Sequence, residues 1–426
     1  MKRSRLAVIA ALFGLAGPVL CAGTPGRAAA QSDAGAIPDT GLVTREELRG
    51  LLEGLNEQLQ GVQTDTDRLK RFKFTGYIQG RYDASEASSD SVQVSGSPYT
   101  VTTPNQSRFY IRRARFKFTY DSSPWSQAVI YFDGGQDRFI RLLEAYVTLM
   151  DPWTANHDHQ FTLGQFNVPF GYELERSSSL RELPERSRAE TVLFPGERDL
   201  GLKLEQQWTS EVKTSLSVLN GGGINSVDFP NTDPTRNKDI TARARLVQGT
   251  VDAAASYYWG HQVTPLTGPD VSTDKTRFGV DTQGYWQLPH AGGGSLKLEL
   301  YTGHDVNPDS VNTLVSAPTG ANPVRLLRPG ADPSHLATDV FGWYAMVVQN
   351  VGDWLQAAVR YDTYDPNTTL AHDQYRRWSF GVNAFYDAYT RFTISYDAVS
   401  TQTLGAGGTT TDPHDNLWTF QLQHKW

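Results

Sequence analysis

The chain has 426 residues, enough for two or three soluble domains or for one large closed barrel whose length grows with strand number. A mean hydropathy of -0.44 is too polar for a bundle of membrane helices, and a formal charge of -7 with a pI near 5.7 argues against the basic footprint of a nucleic-acid binder. Aromatic residues nonetheless reach 11%, which suits a polar-lined barrel girdled by rings.

Lys2, Arg3 and Arg5 precede the apolar run Leu6 to Leu20, and Ala28-Ala29-Ala30 offers a small-residue cleavage site, so residues 1–30 read as a secretory signal peptide. Cys21, the only cysteine, falls inside that segment, leaving a mature chain that forms no intramolecular disulfide. The competing lipoprotein reading would acylate Cys21, but Leu20 is bulky where such a site wants a small residue. No later stretch reaches the roughly 18 apolar residues of a spanning helix. If the chain sits in a membrane, strands must hold it there.

Residues 31–43 are small and polar, a flexible linker. Thr44 and Glu47 then make a capping box. Behind it Leu48, Leu52, Leu55, Leu59, Val62, Thr66 and Leu69 recur at steps of four and three, the heptad spacing that lays one seam along a helix. Over 44–70 this predicts either a short periplasmic oligomerising coiled coil or a single amphipathic helix packed on the body. Gly50, Gly54 and Gly61 each weaken such a helix by about 1 kcal/mol relative to Ala, so it needs partner chains or a supporting surface.

From Lys73 to Trp426 we count sixteen segments in which polar and apolar residues alternate, the period of a strand with two unlike faces. Around 106–133, Arg113, Arg115 and Lys117 share one face while Ala114, Phe116, Phe118 and Tyr120 share the other. Connections after even-numbered segments are short, such as Ser122-Ser123-Pro124 and Asp387-Ala388-Tyr389-Thr390. Those after odd-numbered segments are mostly long, including 83–106, 170–198, 221–238 and 304–339. A Greek-key sandwich would break this alternation. The expectation is all-β: a 16-stranded antiparallel transmembrane β-barrel over 73–426, with lipid outside and a wet lumen inside. The last segment places Trp418, Phe420, Leu422 and Trp426 on one face.

The stretches FYIRRARFKF, LLEAYVTL, FTLGQFNVPFGYELERSSSLRELPERS and VLFPGERDLGLKL resemble the phosphate-selective porin O and P family, densely over residues 73–204 and by architecture beyond. The carry-over covers Arg112, Arg113 and Arg115 on the basic strand, Gly164, Gln165, Phe166, Pro169 and Phe170 at the strand end, and Glu185 and Arg186 in the loop. The terminal aromatic is similar to an outer-membrane assembly signal. One departure is Gly196-Glu197-Arg198-Asp199, where that family tends to carry two arginines. The resemblance implies a channel of the bacterial outer membrane, commonly a homotrimer among lipid and lipopolysaccharide, whose third long loop, 171–198, folds inward and narrows the passage.

Parity gives the lumen wall thirteen bases against eight acids, so small anions are the expected solutes and a phosphate-like preference the expected selectivity. The residues expected to line the passage or touch anions are Arg113, Arg115, Lys117, Arg181, Arg186, Arg188, Arg198, Lys203, Arg243, Arg245 and Arg277. The alternative is that these charges pair across the lumen and fill it. Arg112 falls by parity with Tyr110 on the lipid face, where mid-bilayer it would cost about 2 to 4 kcal/mol, so it must lie near the outer rim or a bulge must turn it inward. No catalytic motif is present: neither a Gly-x-Ser-x-Gly elbow nor His-Glu-x-x-His nor a phosphate-cradling loop. His157 and His159 read as a solvated turn rather than a metal site, and no cofactor is implied. Asp228, Asn231 and Asp233 could hold a cation or lipopolysaccharide, although polar loop tips need no such purpose. A second functional reading makes the barrel a structural anchor whose N-terminal coil grips the cell wall.

Overall fold

The computed structural model describes residues 45–86, 106–135, 139–224, 235–264, 271–306, 332, 336–404, 410–412 and 415–426. The expected leader and linker, Thr44 of the capping box and the Asp228, Asn231 and Asp233 loop tip lie outside these residues.

The N-terminal element is a helix, Arg45–Lys70. Leu52, Leu55, Leu59, Val62 and Leu69 are each more than half exposed along it, within a helix whose described side chains are all exposed.

Fifteen strands follow in order: β1 (Phe72–Ser85), β2 (Arg108–Ser123), β3 (Ser126–Asp133), β4 (Arg141–Met150), β5 (His159–Asn167), β6 (Arg198–Gln207), β7 (Val212–Leu219), β8 (Asp239–Gln248), β9 (Val251–Thr264), β10 (Val271–Leu288), β11 (Gly292–Val306), β12 (Ala337–Val351), β13 (Leu355–Asp365), β14 (Tyr375–Phe385) and β15 (Thr390–Thr401). A separate small hairpin, β16 (Thr403–Leu404) with β17 (Thr410–Thr411), precedes β18 (Leu417–Lys425). The first fifteen and β18 make one closed barrel of sixteen antiparallel strands, each paired to its neighbour. Closure runs from Tyr77↔Lys425 to Ser85↔Leu417. Beyond that ladder Trp426 exchanges backbone hydrogen bonds with Gly76 at 3.1 and 3.2 Å, and its ring lies 6.2 Å from Phe74.

Alternation is visible strand by strand. On β14, Arg377, Ser379 and Asn383 are buried while Trp378, Phe380 and Val382 are 46 to 49% exposed. On β18, Thr419, Gln421 and Gln423 are buried between Trp418, Phe420 and Leu422. A surface apolar all round and an interior that is polar is stable only when the outside solvent is hydrocarbon. Exposed Trp125, Trp153, Trp208, Tyr386 and Tyr389 gather at the short-turn end, and Trp343, Tyr361 and Trp378 chain together at 5.4 and 4.8 Å nearer the long loops. These are the two aromatic belts of a membrane barrel.

Among the described residues the strand ladders shift register in three places, one of them between Asp121 and Ser123 beside the β2–β3 turn. The β1–β2 ladder steps from Gln79↔Arg113 to Gly80↔Ile111, leaving Arg112 as the extra residue of a bulge. Beyond it the faces exchange: Ile111 and Phe109 are exposed outward, while Tyr110, expected toward lipid, donates from its hydroxyl to Asp83 Oδ2 at 2.6 Å. Leu143 occupies a similar slip between Tyr131↔Glu144 and Phe132↔Leu142. Gln165 Nε2 donates to the Leu142 and Leu143 carbonyls at 2.9 and 2.7 Å, satisfying groups that the slip releases.

Candidate functional site: the lumen and its inward loop

The connection between β5 and β6 lies inside the barrel. It carries two short helices, Tyr172–Glu175 and Arg188–Leu193. At its start Gly171 has φ 60°, and a Cβ there would lie 2.0 Å from Glu299 Oε1, so only glycine fits. That close approach lets the Glu299 carboxylate accept from the Tyr172 and Glu173 backbone N–H groups at 2.8 and 3.3 Å, an acid placed at a helix start. Apolar side chains then dock the loop on the wall: Phe170, Leu174, Ala189, Leu193 and Phe194 pack with Leu219, Tyr258, Tyr301, Val340 and Tyr364 in a dry cluster within the lumen. A second cluster joins Leu183 to Tyr344, Met346, Val348 and Ala358.

Ionic contacts complete the attachment. Glu173 meets Arg360 at 2.9 Å and Glu182 meets Lys297 at 2.6 Å. Arg377 donates to the Arg186 carbonyl at 2.6 Å, and Asp362 accepts the Arg188 backbone N–H at 3.0 Å. Across the lumen, Ser178 bonds the Tyr77 hydroxyl and accepts from Arg115 at 2.9 Å. Glu185 is the node on that side, with Arg81 at 2.7 Å, Arg112 at 2.8 Å and Arg113 at 3.5 Å. Burial alone would raise the Glu185 carboxyl, but the guanidinium groups of Arg112, Arg81 and Arg113 outweigh it and hold it well below the ordinary carboxylate range. The bulge therefore has a local reason: it delivers a third cation to this acid.

Of the eleven residues expected to line the passage, nine are held against acids. Arg113 lies near Glu185, as given above. Arg115 meets Asp133 at 2.7 Å, Lys117 Glu144 at 3.4 Å, Arg186 Glu190 at 2.9 Å and Arg198 Glu144 at 3.2 Å. Lys203 meets Glu205 at 2.8 Å, Arg243 Asp281 at 2.6 Å, Arg245 Asp252 at 2.5 Å and Arg277 Asp305 at 2.6 Å. Arg188 lies 5.1 Å over the Tyr375 ring. Arg181 is buried with no ion pair among the described residues, and its Nε and Nη2 have no hydrogen-bond partner. Burial, and then the neighbouring Arg186, push its guanidinium down to about 9. Sequence reading passed over Arg81, although Tyr77, Gln79 and Arg81 alternate inward, and gave Glu173 and Glu182 no role.

One region is lined by more bases than acids, although nine of its ten bases are themselves ion-paired. At the short-turn end, between the loop and the wall of β1 to β8, a vestibule of about 530 Å³ is lined by ten basic side chains and four acidic ones. The bases include Arg115, Lys117, Arg198, Lys203, Lys213, Arg243, Arg245 and Lys425; the acids are Glu144, Glu175, Glu197 and Glu205. Tyr77, Tyr131, Tyr146 and Phe166 supply its apolar wall. A smaller cavity of about 160 Å³ lies beyond Arg176, Ser179 and Leu180, against Arg391 and Gln423.

A closed sixteen-stranded barrel, apolar outside, polar inside and crossed by an inward loop, is a porin-type β-barrel of the bacterial outer membrane. No protein-family model matches the sequence, and no curated protein matches it. Among solved structures the chain is similar to the outer-membrane channel DcaP of Acinetobacter baumannii (13% identity, 83% of this chain and 97% of that one, TM-score 0.54). It is also similar to the anion-selective porin from Comamonas acidovorans (10% identity, 83% and 99% covered, TM-score 0.53). A third likeness, at 11% identity with the same coverage and TM-score 0.53, is to OmpT, an outer membrane protein of Vibrio cholerae in its trimer form. At these identities the likeness is one of fold.

Proposed function

We propose that the protein is a diffusion porin that passes small hydrophilic solutes with a mild preference for anions, phosphate-like ones included, and performs no catalysis. The observation that carries this is the vestibule's surplus of ten bases over four acids. Nine of the ten bases also touch acids, but Asp133, Glu182, Glu190, Asp252 and Asp281 are not part of the lining, so a solute at the vestibule surface meets more bases than acids, and a low-dielectric wall concentrates that field. Weak multiple contacts of this kind admit an anion and still release it. The likeness to an anion-selective porin supports the same reading. We also propose that three copies associate, as in the trimer form named above, with the helix Arg45–Lys70 contributing its exposed leucine seam in the periplasm.

Single-channel current with chloride, phosphate and a neutral sugar tests the solute claim. Phosphate should lower the chloride current by occupying the vestibule, and an equal concentration of sugar should lower it less. Equal effects of phosphate and sugar would remove the anion preference. The anchoring alternative is separated by deleting residues 31–70: unchanged conductance with lost envelope adhesion would favour the anchor.

A further inference from the structure

Three glycines stand at inward-facing positions on alternate strands: Gly279 on β10, Gly342 on β12 and Gly381 on β14. Their same-face neighbours are buried and larger, Arg277 and Asp281, Val340 and Tyr344, Ser379 and Asn383. Each glycine lies under an apolar side chain of the inward loop. A Cβ at Gly279 would lie 2.7 Å from Phe170 Cε1, at Gly342 2.7 Å from Ala189 Cβ, and at Gly381 2.6 Å from Leu183 Cδ2. None of the three takes a positive φ, so what the wall supplies there is missing volume, not conformational freedom. The occupants are fully packed, Phe170 at 0%, Ala189 at 1% and Leu183 at 4% exposure. Close-packed interiors transmit even a methyl group's displacement.

We propose that Gly279, Gly342 and Gly381 are sockets that fix how deeply the inward loop seats in the β10–β14 wall, and so set the size limit of the lumen. The size limit rests on the diffusion reading above; the seating does not. The vestibule lies on the loop's opposite side, so a methyl group in a socket drives the loop toward it and narrows the passage.

The test uses the full chain with Gly279→Ala and Gly342→Ala. Gly284→Ala is the control, because it adds the same methyl to β10 where a Cβ meets nothing within 4 Å. Barrel closure is checked by heat-modifiable migration, loop seating by the rate of phenylglyoxal labelling at buried Arg181 in the closed barrel, and passage by single-channel conductance. Both socket variants should label faster at Arg181 and conduct less than wild type, while Gly284→Ala matches wild type. Adding Phe170→Leu to Gly279→Ala, or Ala189→Gly to Gly342→Ala, should restore both readouts. The second pair restores less, because the new Cβ still lies 3.1 Å from the Thr363 carbonyl. Socket variants indistinguishable from Gly284→Ala, or paired variants that restore nothing, would overturn the proposal. Should the single variants fail to close, Gly381→Ala is read the same way, since the flexible end of Leu183 can yield there. A wild-type barrel that does not conduct would defeat the diffusion reading, and Arg181 labelling would still decide the sockets.

Discussion

At the scale of single residues, the inward loop is held by charges of unequal standing. Glu185 ion-pairs with three guanidinium groups, so Glu185→Gln removes the carboxylate charge that Arg81, Arg112 and Arg113 share. We expect a loss of about 2 kcal/mol, less than for a fully buried pair because the carboxylate is partly exposed, read as a lower unfolding midpoint. Arg181 has the opposite character: a buried cation without an ion pair among the described residues costs free energy, so Arg181→Met should be neutral or stabilise by about 1 to 2 kcal/mol. Its loss of stability on this substitution would show that the guanidinium has a partner in solution. Glu190 gives the pH dependence. Burial pushes its carboxyl well above the ordinary range, with Glu173 and Glu299 adding to that and Arg186 opposing. The folded chain therefore keeps a proton that the unfolded chain releases, and stability falls as pH rises from the ordinary carboxylate range toward the raised value. Glu185, lowered instead, contributes stability that is complete above that range and lost only on acidification. Thermal unfolding should be latest at mildly acidic pH and decline toward alkaline pH, and Glu190→Gln should flatten the alkaline decline.

At the scale of elements, the sixteen strands were legible because lipid on one side and water on the other impose a period of two over most of each strand. The inward course of the loop came from resemblance, not from periodicity. What holds it there was hidden, since Phe170, Leu183 and Ala189 seat against glycines more than 100 residues away in sequence. The exchange of faces at Arg112 was half visible: a lipid-facing arginine demanded an explanation, but only the Gly80↔Ile111 pairing assigns Tyr110 to the inside. Pairing of the lumen bases was open in the sequence as an alternative, but its partners were not readable, because pairs such as Arg360 and Glu173 come together only through the loop. The terminal aromatic has a physical role at this scale. Trp426 extends the closing seam by two hydrogen bonds to Gly76, so deleting it should slow closure of the barrel, followed as the shift from unfolded to heat-modifiable migration. Closure at the wild-type rate would confine that role to recognition by assembly machinery.

At the scale of the whole molecule, the formal charge of -7 and the basic vestibule describe different surfaces. Acids dominate the composition, yet within the lumen many of them sit against wall cations, and the vestibule lining at the short-turn end presents more bases than acids. Selectivity thus follows from local placement and not from net charge. The most direct measurement is the reversal potential of the reconstituted full chain across a potassium chloride gradient at neutral pH. The account predicts a sign set by chloride moving more freely than potassium, reduced when Lys203, Lys213 and Arg245 are replaced by glutamine. A reversal potential of the opposite sign, with potassium the more permeant ion, would contradict it.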